Sequence, residues 1–399
     1  MKILHIEDRF HPDMGYQINY FAEYHNPGTE FHILSSESFS LWKGVDKEDI
    51  INNRDREFEK KHNVKITRIN SYRSGGRSHN IWLKGLLRTV ESLAPDVVYT
   101  HALETITSIR IILSRLNKKM LVFSDTHTLL NQRTPGLKNT IYNSFLERIY
   151  IPVLNKKNIG VFYTAEENKN ILLDIYGVKK ENVLPCPIGT NLKDYRFDEK
   201  AGKDIRQRLK IDINSPLILY TGKLNDIKKP HLLLNAVKEI ENLLTGKIHI
   251  VMVGAQDKDY MQKYFNILFS EKVELHLTGS VSNKKLFEYY SAADFAVFPK
   301  ENSLSSLDAQ ACRLPVIMED DETNRLRLKE GGLCYRKDDV GDLGSKILNL
   351  INDKDLLKKL SENGYSYIRS NFDYANIVSV MEKIVEQRFE SYSSKNKVR

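Results

Sequence analysis

Lys223 and Lys228 lie five residues apart in the run Tyr220-Thr221-Gly222-Lys223-Leu224-Asn225-Asp226-Ile227-Lys228-Lys229-Pro230. The run follows a β-rich apolar stretch and opens a helical pattern. Gly222 lets the chain turn without a Cβ clash. Pro230 suits a first helical turn, where its missing N–H costs nothing. Two ammonium groups at this spacing can bracket a diphosphate, and fixed cations stabilise the charge that builds on a leaving diphosphate. A solvated basic loop fits the same spacing, so the lysines do not decide by themselves.

A second run, from Asp294 to Ile317, reads as strand, loop, helix and strand. Ser303, Leu304, Ser305 and Ser306 fall where that helix begins, and the first amides of a helix together with its dipole favour an anion. Asp308 falls about one turn further on. An ionised carboxylate there accepts hydrogen bonds from the vicinal hydroxyls of a ribose; it also simply complements the dipole.

These runs need a scaffold, and the chain supplies a regular one. Short apolar runs alternate with longer helical patterns, which is the signature of βαβ units and parallel sheets. The first series places strands at 2–6, 31–35, 64–69, 96–100, 121–125 and 160–164, with helices near 15–23, 81–92, 105–116 and 140–154. The second places strands at 217–221, 249–253, 274–277, 295–298, 316–318 and 333–335, with helices near 230–241, 284–291 and 305–312. Helical patterns at 340–351, 356–369 and 374–387 close the chain. The fold class is therefore α/β: two Rossmann-like, doubly wound domains facing a cleft, covering 1–190 and 191–372. Residues 373–399 form a last helix returning to the first domain, with a polar tail. Ligands of such sheets sit beyond the carboxyl ends of the strands.

The 399 residues, 41% hydrophobic and 28% charged, suit two domains of roughly 200 residues each. A formal net charge of +8 favours anionic partners. The basic residues are scattered and no nucleic-acid module appears, which argues against nucleic acid. Cys186, Cys312 and Cys334 are too few and too far apart for a disulfide framework or a zinc site, and read as reduced thiols. The first residues become charged too early for a secretory signal, and no apolar run reaches the ~18 residues that span a bilayer. The expected location is the cytoplasm, including the inner face of the membrane.

Together the two runs resemble the GT-B glycosyltransferases of the large retaining group called family 4. In that family a Gly-Arg-Leu segment and a lysine four residues beyond it bind the donor diphosphate. Gly222-Lys223-Leu224 and Lys228 match it, with lysine for arginine, which keeps the charge but loses the bidentate fork. The family's Leu-Glu-Ala-x-Ala-x-Gly-x-Pro-Val motif is followed by Leu307-Asp308-Ala309-Gln310-Ala311-Cys312-Arg313-Leu314-Pro315-Val316, with Asp for Glu and Arg for Gly. The resemblance implies that Asp308 binds the donor ribose. The family's upstream acid contacts the donor sugar with seven residues intervening; here six lie between Glu301 and Asp308, and Lys300 occupies the ungapped position.

Phe10-His11-Pro12-Asp13-Met14-Gly15-Tyr16-Gln17 resembles the family's glycine-rich loop, with Tyr16 for a second glycine. Phe123-Ser124-Asp125-Thr126-His127-Thr128 is similar to the segment whose histidine sits beside the reacting sugar, and His101 ends the preceding strand. Satisfied structural histidines would read the same way. The basic helix carrying Arg110, Arg115, Lys118 and Lys119 suits an anionic lipid surface, or merely solvent.

The resemblance implies a retaining transfer from a nucleotide sugar, UDP- before GDP-, to a glycan or lipid-linked acceptor, in cell-surface polysaccharide synthesis. Lys223, Lys228 and His127 are the expected catalytic residues. Gly15, Tyr16, His101, Gly222, Glu301, Ser303, Leu304, Ser305 and Asp308 are the expected substrate contacts. No metal and no cofactor beyond the nucleotide-sugar co-substrate is expected. A catalytically inactive GT-B-like binding subunit and a sugar-nucleotide epimerase are the alternatives.

Overall fold

The structure is a computed structural model and describes residues 1–39, 46–73, 81–128, 136–300 and 303–397. It divides into two compact units, Met1–Ile188 with Tyr374–Arg399, and Gly189–Asp373.

In unit 1 the strands are β1 (Lys2–Glu7), β2 (Glu30–Ser36), β3 (Lys65–Ile69), β4 (Ser71–Arg73), β5 (Ile81–Leu83), β6 (Val97–Thr100), β7 (Leu121–Thr126), β8 (Gly160–Tyr163) and β9 (Val183–Pro185). Seven of them form one sheet in the order β3-β2-β1-β6-β7-β8-β9, parallel throughout. Alternate residues feed two cores. Leu4, Ile6 and Val98 enter one, while Ile3, Ile33, Val97, Tyr99 and Phe123 enter the other. Because both faces are covered, the strands read as near-continuous apolar runs. The closing helix Tyr374–Lys397 belongs to this unit; Tyr374, Ile377, Val378, Met381 and Val385 pack with Ile18 and Phe21.

Unit 2 holds β10 (Leu217–Thr221), β11 (Ile248–Val253), β12 (Val273–Gly279), β13 (Phe295–Phe298), β14 (Val316–Glu319) and β15 (Gly332–Tyr335). They form a parallel sheet in the order β12-β11-β10-β13-β14-β15. In both units the strand order reverses next to the first strand, at β1/β6 and at β10/β13. Such a reversal splays the connecting loops apart and leaves a crevice beyond the strand ends.

Local chemistry adjusted several sequence expectations. The helix expected over 81–92 is a strand followed by a helix: Ile81–Leu83 pairs antiparallel with Ser71–Arg73, and Gly85, at φ 66°, starts the helix Leu86–Leu93. The helix expected over 140–154 is present and continuous, Leu137–Phe145 and Ile151–Lys156 joined by a wider π-type stretch at Leu146–Tyr150. The polar stretch between the two strand series, for which the pattern gives no element, holds a helix, Glu199–Arg208, with the Asp198 carboxylate accepting the Ala201 N–H at 3.0 Å. Its buried residues are few, Gly202, Ile205 and Arg206, so its sequence reads as polar.

Candidate functional site

In unit 2 the loop after β10 is fixed by backbone bonds to the loop after β11. Gly222 donates to the Val253 carbonyl at 2.9 Å and Leu224 to that of Ala255 at 2.8 Å. Gly222 takes φ 148°, and Gly254 lies so close that a Cβ on it would stand 1.8 Å from the Gly222 oxygen. The Tyr220 hydroxyl donates to the Lys223 carbonyl at 2.9 Å. Asn225 closes the turn, its side-chain oxygen accepting the Lys228 N–H at 3.0 Å and its carbonyl the Lys229 N–H at 2.9 Å. Lys223 is exposed and Lys228 half-buried on this pinned loop.

After β13 the chain enters the helix Ser305–Ala311. Glu301 lies outside the described residues. Ser306 and Leu307 donate their amides to the Ser303 and Leu304 carbonyls, at 3.3 and 2.9 Å. The row of open amides expected from Ser303 onward therefore stops before Ser306. Lys300 is not a stand-in for the displaced acid. Its ammonium donates to Glu319 at 2.6 Å and to Asp338 at 2.7 Å.

One side chain joins the two loops. The buried Tyr290 phenol stands 2.8 Å from the hydroxyl of Thr221, which immediately precedes Gly222, and the Ser305 side chain and the Asp308 carboxylate lie near enough to act on it. Burial, and the Asp308 charge beside it, push Tyr290 far above its ordinary range, so it stays a neutral hydroxyl. Thr190 donates to Asp308 Oδ1 at 2.7 Å. Burial raises the Asp308 carboxyl to about 7, with the Thr190 bond opposing. Thr221, Tyr290, Ser305, Asp308 and Thr190 are thus one connected group beyond the adjacent ends of β10 and β13.

In unit 1, Gly15 adopts φ 66°. Tyr16 is extended, at φ −74°, and precedes the helix Gln17–Tyr24, so this position does not require a second glycine. Asn19 holds the loop: its oxygen accepts the Tyr16 N–H at 3.0 Å, and its amide donates to the His11 and Pro12 carbonyls at 3.1 and 2.9 Å.

The histidines beyond β6 and β7 share one carboxylate. Asp125 Oδ2 is 2.9 Å from His101 Nδ1, and Oδ1 is 3.6 Å from His127 Nε2 and accepts the Ala102 N–H at 2.6 Å. Burial alone would raise Asp125, but His101 and then His127 hold it down at about 2. Burial likewise opposes the charge on His101, yet Asp125 wins and raises it. His127 is lowered, by desolvation first and by His101, with Asp125 opposing. His101, expected as a substrate contact, is buried against His5 and Asp125 and orients that carboxylate. His127 keeps 40% of its side chain exposed and is the member able to meet a ligand.

Residues 202–367, within unit 2, match the family model described as glycosyl transferases group 1. Unit 2 is a group 1 glycosyltransferase domain. A D-inositol 3-phosphate glycosyltransferase of Nocardia farcinica is 24% identical over 243 residues, 58% of this chain and 51% of that protein. Its counterpart from Xylanimonas cellulosilytica is 28% identical over 166 residues, 39% of this chain and 38% of that one. The chain thus matches about half or less of these relatives' lengths. Among solved structures, a glycosyltransferase of Rickettsia africae has a TM-score of 0.71 at 15% identity, covering 98% of both chains. HepE of Anabaena, solved in complex with UDP, has 0.70 at 14% identity, covering 97% of this chain and all of that one. The two Rossmann-like units are those of the GT-B fold.

The departures from the family pattern have local accounts. Arg313, where the family has glycine, takes φ 61° at the end of the group 1 domain's Asp308 helix, with its guanidinium 4.3 Å from the Tyr365 ring centre. The single basic helix expected to carry Arg110, Arg115, Lys118 and Lys119 is not formed: the helix is Ile106–Leu113 and carries only Arg110, and a separate short turn follows at Leu116–Lys118. Arg110 lies over the Trp82 ring at 4.1 Å and donates to the Leu83 carbonyl at 2.7 Å, while Lys119 pairs with Glu91 at 3.0 Å, so two of the four cations are engaged within unit 1. Tyr290, Thr190, Asn225 and Asp125 were not singled out by the sequence reading. Asn225 and Asp125 lie inside runs quoted above, but their roles rest on contacts that spacing does not show.

Proposed function

We propose that this chain is a retaining glycosyltransferase that moves a sugar from a nucleotide sugar, UDP-linked before GDP-linked, to a hydroxyl of a glycan or lipid-linked saccharide precursor in cell-surface polysaccharide synthesis. The observation that carries the reading is the Tyr290 hydroxyl, bonded to Thr221 at the mouth of the lysine loop and acted on by Ser305 and Asp308, which gathers that loop and the Asp308 helix at the sheet's reversal point. The structure of HepE in complex with UDP supports the UDP preference.

Lys223 and Lys228 hold the diphosphate and take up its charge as it leaves. Asp308 accepts the ribose hydroxyls, which displace Thr190. Leu304 and Ser305 line the phosphate side, Gly222 admits the donor close to the backbone, and Glu301 orients the sugar. His127, kept neutral, bonds a hydroxyl of the reacting sugar, while Gly15 and Tyr16 border the acceptor. The bond from the anomeric carbon to the phosphate oxygen breaks, the bond to the acceptor oxygen forms, and the acceptor proton passes to the departing phosphate. No helix among the described residues is long and apolar enough to cross a membrane. Contact with the inner membrane face, through Arg115 and Lys118, belongs to the same proposal.

The test is to incubate the full chain with UDP- and GDP-sugars and a panel of saccharide acceptors. Nucleoside diphosphate release and product anomeric configuration are followed by NMR. Release of the diphosphate with the donor's configuration kept is expected. An isomerised nucleotide sugar formed without any acceptor, or no turnover of any donor, overturns the reading.

A further inference from the structure

Away from the donor loops, three side chains with metal-ligand chemistry meet on one face of the group 1 domain's sheet. β11 and β12 run parallel with His249 opposite Glu274 and Val251 opposite His276. Side chains two apart on a strand share a face, and so do directly opposed residues on neighbouring strands. His249, Glu274 and His276 therefore point the same way. Their ligand atoms converge: His249 Nδ1 is 3.1 Å from His276 Nε2 and 3.7 Å from Glu274 Oε2, and His276 Nε2 is 3.8 Å from Glu274 Oε1.

We propose that His249, Glu274 and His276 bind a divalent transition-metal ion of the zinc class, which clips the edge strand β12 to β11. The spacing suits such an ion. Ligands at about 2.0–2.1 Å on a tetrahedral centre stand about 3.3–3.4 Å from one another; the two imidazole nitrogens at 3.1 Å fall just below that value and His276 Nε2 to Glu274 Oε1 at 3.8 Å just above it. The donor set of two imidazoles and one carboxylate selects borderline ions such as Zn²⁺ or Co²⁺ over Mg²⁺ or Ca²⁺, which take oxygen. An imidazole is largely neutral near pH 7 and then offers a ring nitrogen lone pair to an ion. Of the two facing nitrogens one donates and one accepts, so metal binding moves only the donor ring's proton to its other nitrogen.

Entry and exchange come from the carboxylate side. His249 is buried and His276 nearly so, while Glu274 keeps 45% of its side chain exposed. Lys247 pairs with Glu274 Oε2 at 2.7 Å, which leaves Oε1, beside His276, for the ion. Lys247, and Arg206 at longer range, are the cations that act on this cluster. They weaken its hold on a dication. The site is separate from the donor loops, since His249 lies four residues, about 13 Å of strand, before the end of β11. The three ligands make no spacing motif in sequence, because Glu274 reaches His249 only through strand pairing.

The test uses the full chain, freed of metal by chelation and titrated with Co²⁺ and Zn²⁺. The visible Co²⁺ spectrum and the melting temperature are both read. One Co²⁺ per chain with the intense bands of a tetrahedral site, displaced by Zn²⁺, is expected, together with a melting temperature that rises with Zn²⁺. Glu274→Gln and His276→Gln are expected to weaken binding at least tenfold, and Lys247→Met to strengthen it. Equal binding in wild type and the double variant Glu274→Gln/His276→Gln, or no binding to wild type, overturns the proposal. Because His249 is the most buried ligand, the two variants on β12 keep the test independent of folding.

Discussion

Thr190 donates its hydroxyl to the carboxylate of Asp308 at 2.7 Å, across 118 positions of sequence. The bond occupies the oxygen that the proposed ribose contact needs, so donor binding is an exchange of one hydroxyl for another. Burial holds the Asp308 carboxyl at about 7. Ionised, it accepts both ribose hydroxyls; protonated, it loses part of that capacity. The affinity for UDP-glucose, whose phosphates do not titrate near neutrality, is expected to strengthen as pH rises through about 7. Calorimetry on Asp308→Asn is expected to show no such step. Stability moves the opposite way. The folded value lies above the ordinary 3.8, so this group costs stability as pH climbs from about 4 to about 7, and the loss levels off beyond.

Lys228→Ala and Asp308→Ala each remove a charge-assisted contact to the donor. Such contacts contribute about 1.5–3 kcal/mol, which is about 10- to 150-fold in rate. Steady-state kinetics should show kcat/KM down by at least the lower figure in each variant. Lys228→Arg keeps the charge and is expected to retain most of it.

How far sequence could reach is visible in these same residues. Lys223, Lys228 and Asp308 announced themselves because a turn glycine, a helix start and an apolar rhythm surround them locally. Tyr290 and Thr190 sit in other segments, and only the β10/β13 reversal and the chain's path at Gly189–Asp373 bring them to the cluster. The strand pattern was legible because both sheet faces are covered, whereas the helix Glu199–Arg208 hid behind a mostly polar surface. The 81–92 error came from reading Ile81-Trp82-Leu83 with the following helix, when Gly85 separates them.

Arg313 occupies the left-handed region at φ 61°. A side chain there costs roughly 1–2 kcal/mol, partly offset by its contact with Tyr365 at about 0.5–1 kcal/mol. Urea unfolding is expected to rank Arg313→Gly above Arg313→Ala by about 1 kcal/mol or more. The alanine variant loses the ring contact and keeps the strain, so it should fall below wild type.

Asp125→Asn leaves His101 buried without its counter-charge. Breaking a buried pair by removing one partner costs about 3–5 kcal/mol. The pH profile should change as well. His101 is raised above 6.5, so its contribution is full below that value and fades as pH rises through the folded one. Asp125 is held at about 2, so its contribution is present above 3.8 and fades as pH falls toward about 2. Thermal melts across pH should show both slopes in wild type and neither in the variant.

The central claim is that the two lysines grip a diphosphate while Asp308 grips its ribose. Isothermal titration of UDP and of uridine into wild type, Lys223→Ala/Lys228→Ala and Asp308→Ala separates the two grips. One UDP per chain should bind wild type, at least tenfold more weakly in both variants, while uridine should weaken only in Asp308→Ala. A double-lysine variant that binds UDP as tightly as wild type contradicts the claim.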